Sequence, residues 1–186
     1  MKVGVLCEFS ATVRDAFLRK GHDAWSVDLL ETLGDRARHM QVDALSVLDQ
    51  DWDLLLAFPP CIHLALSGAR WWPEKRADGR QQAAAAFLQV LWNAPVKRMA
   101  IENPVGFMNS HWRKPDQIIQ PWQFGHGETK ATCLWLRGLP PLKPTKVVEG
   151  RHPRIWLAPD SKGRALRRSV TYQGIAEAMA DQWGSL

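Results

Sequence analysis

Asp53-Leu54-Leu55-Leu56-Ala57-Phe58-Pro59-Pro60-Cys61 and Val96-Lys97-Arg98-Met99-Ala100-Ile101-Glu102-Asn103-Pro104 are the two stretches that decide the fold. Each is an apolar run closed by a proline-bearing motif. The runs Asp53–Phe58 and Val96–Ile101 read as buried strands. Gln81 to Asn93, between them, carries an alanine run with Phe87, Leu88 and Leu91 at helical spacing, and Pro95 stops it. Strand, helix, strand in this order is a βαβ unit, which builds a parallel sheet. A thiol and a carboxyl group at the carboxyl ends of two such strands converge on one crevice.

Working outward, Lys2 to Cys7 reads as a first strand. Ala11 to Lys20 is a helix stopped by Gly21, and His22 to Leu29 is a second strand. Glu31 to Arg38 is expected as a short helix and His39 to Asp43 as a third strand or its edge. Ile62 to Gly79 is expected as an ordered loop with short helical pieces, and Pro104 to Trp122 as irregular. Ala131 to Leu136 is a later strand. His152 to Arg168 is polar and basic, and is the segment expected to move most. Thr171 to Trp183 is a final amphipathic helix. The expectation is one α/β domain over residues 1–186, with a central, mostly parallel sheet flanked by helices.

Composition narrows the function classes. The 186 residues carry a net charge of +5, which favours phosphate-bearing partners without demanding a polymer. Cys7, Cys61 and Cys133 are few and scattered, with no Cys-x-x-Cys. That argues against a disulfide framework or zinc site and for reduced thiols in a cytoplasm. No apolar stretch reaches signal-peptide or membrane-span length. A Gly-x-Gly-x-x-Gly is missing, which argues against a nicotinamide dinucleotide. The ten tryptophans are read mainly as core and rim packing.

Cysteine attacks electron-poor carbon and a carboxyl group can hold the edge of a base, so the two motifs together suggest nucleophilic catalysis on a pyrimidine. Pro59-Pro60-Cys61 and Glu102-Asn103-Pro104 resemble the motifs of DNA cytosine-C5 methyltransferases. The chain is similar, from Val3 to about Leu142 and more weakly in its last helix, to small phage-type members called DNA methyltransferase-like. The resemblance implies a Rossmann-like methyltransferase fold and S-adenosylmethionine as cofactor. It makes Cys61 the nucleophile at C6 of cytosine and Glu102 the group holding N3 and the exocyclic amine, with Asn103 bracing the loop.

Phe9-Ser10-Ala11 aligns with the family's Phe-x-Gly, so Phe9 would pack on the adenine. Asp28 falls where the ribose acid belongs, Asp43 is the candidate for the adenine edge, and Pro59 falls on the cofactor side and Pro60 on the substrate side. Two positions depart from the pattern. Ala11 replaces a glycine, at roughly 1–2 kcal/mol if that residue is left-handed, and it would crowd the cofactor's methionine moiety. Glu128-Thr129-Lys130-Ala131-Thr132 keeps only the spacing of a Gln-x-Arg-x-Arg, leaving Lys130 as a point charge for a phosphate or base carbonyl.

Among single residues, Arg70 beside Ser67-Gly68-Ala69 is a candidate anion ligand. Arg113, Lys114 and His126 are loop candidates for a substrate phosphate. His63 belongs to the loop expected to close over the cofactor or base, and Cys133 is read as core. A separate target-recognition region is not evident. Three substrates are therefore open: a free cytosine nucleotide (CMP or dCMP), slightly favoured, single-stranded DNA, or duplex DNA at low specificity or through a partner. A nucleotide- or DNA-binding relative without chemistry is the other class. No metal and no membrane are expected, a homodimer is left open, and the compartment would be the cytoplasm, that of a bacterial host if phage-encoded.

Overall fold

The computed structural model describes residues 1–153 and 164–186. Seven strands form one sheet: β1 (Lys2–Leu6), β2 (Asp23–Val27), β3 (His39–Met40), β4 (Leu54–Ala57), β5 (Met99–Pro104), β6 (Gln117–Ile119) and β7 (Thr132–Arg137). Their spatial order is β3-β2-β1-β4-β5-β7-β6. The pairings from β3 through β5 are parallel, and β7 runs antiparallel to both β5 and β6. This is the expected α/β, Rossmann-like methyltransferase fold.

The apolar runs form strands because both faces of the sheet are covered. Along β4, Leu54 and Leu56 join the layer formed with Val13 and Phe17 of α1 (Thr12–Arg19) and Met179 and Trp183 of the last helix, Gln173–Trp183. Leu55 and Ala57 face the opposite layer, with Leu88 and Leu91 of the helix Arg80–Trp92. Between these lie the helices α2 (Trp72–Ala77), α4 (Phe107–His111) and α5 (Arg164–Ser169). In chain order Arg80–Trp92 is α3 and Gln173–Trp183 is α6. None of the helices among the described residues is long and apolar enough to cross a membrane.

Several expectations are corrected. The second motif strand begins at Met99 rather than Val96 and runs through Glu102 to Pro104, because β7 continues the ladder alongside it, Glu102 opposite Leu134 and Pro104 opposite Thr132. Glu31 to Arg38 is not a helix beyond the 3-10 turn Arg36–Arg38. The Ala37 and Arg38 amides, which such a helix would send to the Leu33 and Gly34 carbonyls, donate instead to the Asp35 carboxylate at 2.9 Å and the Asp35 carbonyl at 3.4 Å. The carbonyls of Asp35 and Arg38 also accept from the buried Arg14 guanidinium, at 2.9 and 3.3 Å. The third strand is two residues long. Asp43, beyond it, caps a 3-10 turn by accepting from the Leu45 amide. Pro104 to Trp122 holds α4 and the edge strand β6. The mobility expected of His152 to Arg168 falls largely on 154–163, outside the described residues.

Candidate functional site

A cavity of about 430 Å³ opens at the carboxyl ends of β1, β2 and β4. Its lining takes Cys7 and Phe9 from the turn after β1, and Asp28 from the end of β2. Asp43 comes from beyond β3, and Pro60 and Cys61 from the loop after β4. Residues read separately as cofactor-binding and reacting thus share one cleft, of the size usual for small-molecule sites. Leu29, Leu30, Ile62 and Phe87 also line it, with Leu166 and Ser169 of α5. Ile62, beside the thiol, is 64% exposed, so the mouth is apolar.

The turn between β1 and α1 is unusual in its backbone. Cys7 and Ala11 are both left-handed, at φ 58° and 63°, at roughly 1 kcal/mol or more each for residues with a Cβ. Ala11 does not crowd the cleft. It is buried under Gly34, whose α-carbon comes so close that a Cβ there would lie 2.7 Å from that of Ala11. Glu8, only 4% exposed, turns its carboxyl into the start of α1. It accepts from the Val13 amide at 2.6 Å, the Arg14 amide at 3.2 Å and the Ser10 hydroxyl at 3.2 Å. Burial outweighs these donors and pushes the carboxyl up to about 7. Ser10 is therefore spent within the turn. No sequence signal marked Glu8, which looks like any strand-end acid. Cys7 is pushed up to about 12 by burial and then by Asp28 and Asp43, so its thiol stays neutral.

Asp28 and Asp43 each commit one carboxylate oxygen to the local backbone, accepting from Leu30 and Leu45 at 2.9 Å. Bidentate acids of this kind keep the second oxygen for ligand hydroxyls or amines. These two acceptors beside Phe9 fit the hydroxyls and amine of the nucleoside part of S-adenosylmethionine.

The loops after β4 and β5 are tied to each other. Asn103, 1% exposed, donates to the Pro59 carbonyl at 3.0 Å. Leu66 donates to the Val105 carbonyl and Phe107 to that of Leu64, a short antiparallel seam between the two loops. Gly106 sits in this seam with no room for a side chain, since a Cβ would fall 2.1 Å from the Leu64 oxygen. Pro59 is buried in this joint, and Pro60 is the proline that reaches the cleft.

Cys61 is exposed to the cleft. Its thiol is raised by burial and then by the Glu102 charge, and is drawn back by Lys130 and Arg168. Burial also raises Glu102, against Lys130 and a hydrogen bond with Thr132. Each group's ionisation opposes the other's, while Lys130 favours both. Such a set ionises the thiol most readily when the carboxyl keeps its proton. Lys130 is fixed by donating to the Arg168 carbonyl at 3.0 Å, so α5 reaches the reacting side as well as the cavity wall. Nothing in the sequence signalled this, because α5 lies inside a stretch read only as basic.

Other residues are placed elsewhere. Arg113 pairs with Asp116 and lies 4.9 Å over the Trp92 ring, in a cluster with Trp112 and Trp135. Lys114 is exposed, and neither residue lines the cleft. Arg70 stacks 5.0 Å over Trp71. His126 accepts from the Gly174 amide at 3.0 Å and so anchors the start of α6. His63 lines a neighbouring hollow of about 350 Å³ that shares Pro60 and Phe87 with the cleft.

No family model and no curated protein matches the chain. Among solved structures it is similar to a proposed DNA modification methyltransferase encoded within an E. coli prophage, with a TM-score of 0.53 and 15% identity. The match covers 81% of this chain and 53% of that one, so the chain spans about half the length of that structure. At this identity the likeness establishes the fold.

Proposed function

We propose that the protein is an S-adenosylmethionine-dependent cytosine-C5 methyltransferase. The observation that carries this reading is the convergence of Asp28, Asp43 and Phe9 with Cys61 in one cavity, with Glu102 electrostatically coupled to that thiol. Phe9 and the two acids hold the cofactor's nucleoside. When bound, the cofactor supplies the methyl group that C5 takes up.

The protein's own residues do the rest. The Cys61 thiolate adds to C6 of cytosine, forming a C–S bond and moving the ring electrons so that C5 becomes nucleophilic. Protonated Glu102 donates to N3 as the ring accepts those electrons, while its other oxygen receives the exocyclic amine. After methylation a base takes the C5 proton, the C–S bond breaks to restore the thiolate, and N3 returns its proton to Glu102. Lys130 stabilises negative charge at both groups.

Cytosine within a DNA strand is the favoured substrate form. Eight Lys and Arg against two Asp and Glu fall between Lys143 and Arg168, more than the whole chain's net +5, and α5 at the end of this stretch lines the cleft. The solved neighbour's assignment to DNA modification points the same way. A free CMP or dCMP is the second reading, favoured by a cavity of single-nucleotide scale.

The test is tritium release from 5-tritiated cytosine in CMP, dCMP, single-stranded and duplex DNA at two salt concentrations. Release with both cofactor and DNA, falling steeply with salt, is expected. Release confined to mononucleotides with a shallow salt dependence overturns the DNA form. No release from any substrate overturns the methyl-transfer reading.

A further inference from the structure

The turn Gly125-His126-Gly127 has no part in the mechanism above, yet it seats a second segment of chain. Residues 143–152 run beside residues 122–129 as a strap. At its start the Lys143 amide donates to the Gln182 side chain at 2.7 Å, and Gln182 donates back to the Lys143 carbonyl at 2.8 Å. Further along, the Gly125 amide donates to the Lys146 carbonyl at 2.7 Å and Val148 to the Trp122 carbonyl at 3.0 Å. His152 closes the strap, donating to the Gly127 carbonyl at 3.1 Å and accepting from the Thr129 amide at 3.2 Å. Gly125 is left-handed, at φ 89°, and the Lys146 stem lies against it.

The strap is cationic, and its cations are uncommitted. Lys143, Lys146 and Arg151 stand against one acid, Glu149, and all four are exposed. Among the described residues none of these three cations has an acidic partner, whereas Lys20, Arg38, Arg80 and Arg113 each have one. Arg151 is nonetheless fixed. Its guanidinium carbon lies 3.9 Å over the Trp122 ring, and its Nη1 donates to the Val148 and Gly150 carbonyls at 2.7 and 2.8 Å. One face of the plane rests on Trp122, and the side chain is exposed, so the other face is open to a ligand. Guanidinium planes and aromatic rings stack on unpaired bases, whose faces are covered in a duplex.

The strap also ends in the right place. Thr129, bonded to His152, precedes Lys130, the cation shared by Cys61 and Glu102. From the Phe124–Lys146 bridge, residues 124 to 130 span at most about 20 Å of chain, the length of a few nucleotides. We propose that the strap 143–152 is a platform for a single DNA strand, with a base stacked on Arg151 over Trp122 and phosphates met by Lys143 and Lys146. The proposal deepens the DNA reading above and rests on it for what the strand carries to Cys61.

The experiment is fluorescence anisotropy of the full-length protein, without cofactor, over a range of salt. The probes are a fluorescein-labelled DNA strand with one cytosine and the same strand in a duplex. The single strand is expected to bind about tenfold or more tighter than the duplex. Arg151→Ala is expected to weaken the single strand about tenfold. Arg151→Lys keeps the charge without the plane and is expected to lose most of the same affinity. Lys143→Ala and Lys146→Ala are each expected to make the salt slope shallower by about 0.7. Lys97→Ala, exposed ahead of β5 at the far end of the strands from the cleft, is expected to bind as the wild type does. Equal or tighter binding of the duplex, an Arg151→Lys variant that matches the wild type, or salt slopes unmoved in both lysine variants overturns the proposal. No turnover is read, so the outcome is separable from the methyl-transfer reading. Tritium release from a mononucleotide by a protein that fails this test overturns the platform and keeps the chemistry. Tight single-strand binding without release does the reverse.

Discussion

On the cofactor side of the cleft, the chain turns from β1 into α1 through two left-handed residues, Cys7 and Ala11, and closes the helix start with its own buried carboxyl, Glu8. On the side of Cys61 and Glu102, two loops far apart in sequence are locked by Asn103, which reaches 44 residues back to Pro59, and by the Leu64–Leu66 seam with Val105–Phe107. The first turn is local and strained. The second is long-range and hydrogen-bonded. Strain within one turn can be relieved by a single substitution, whereas a seam between loops fixes the spacing of two functional groups at once. Under the proposed function, cofactor fit depends on the tight turn, and the relative placement of Cys61 and Glu102 depends on the seam.

The largest effect separates chemistry from scaffold. Cys61→Ser is expected to reduce turnover by about 10⁴-fold or more, with cofactor affinity nearly unchanged. A 5-fluorocytosine substrate should trap an adduct located by intact mass and peptide mapping. An adduct on Cys7 would break the comparison, because the thiol on the strained side would then be the reactive one.

Next is Glu8. Its folded carboxyl lies near 7 against an ordinary 4.5, so the folded state holds the proton more tightly than the unfolded chain does. The associated stability is fully present below about 4.5 and is lost as pH rises through about 7, up to about 3 kcal/mol in total. Glu8→Gln should remove that slope. Urea unfolding of both proteins at pH 4.5, 6 and 8 measures it, and parallel curves would mean that Glu8 ionises normally in its buried place.

Much of this frame was legible in the sequence. Apolar runs buried on both sheet faces announce their strands, and Gly21 and Pro95 mark the ends of two helices. The shared cleft of Cys61, Asp28 and Asp43 was legible because strand ends in a parallel sheet open on one edge. What escaped depends on contacts between distant segments. The buried Arg14 ties down the segment around Asp35 and Arg38 through their carbonyls. Arg113 looked like a loop cation until Asp116 and the tryptophan cluster claimed it. Leu166 and Ser169 line the cleft from a stretch whose composition advertises only charge.

A middle-sized effect tests the seam. Asn103→Ala leaves the Pro59 carbonyl without its donor and should cost about 1–3 kcal/mol in chemical denaturation. Turnover should fall more than this loss of stability explains, since Cys61 and Glu102 lose a common brace. A stability loss with unaltered kcat would reduce Asn103 to packing. The smallest effect tests the strain. Ala11→Gly should gain up to about 1 kcal/mol, because glycine accepts φ 63° without penalty. A loss instead would show that the Ala11 contact with Gly34 outweighs the backbone term.

The Gly106 crossing also has a kinetic reading. The Leu66 and Phe107 amides are donors in the same two-bond seam, and neither bond can open by local fraying, because the backbones are pressed together there. Their hydrogens should exchange with solvent in a single cooperative event that separates both loops. The free energy of that opening is the margin by which thiol and carboxyl keep their mutual distance while the rest of the cleft breathes.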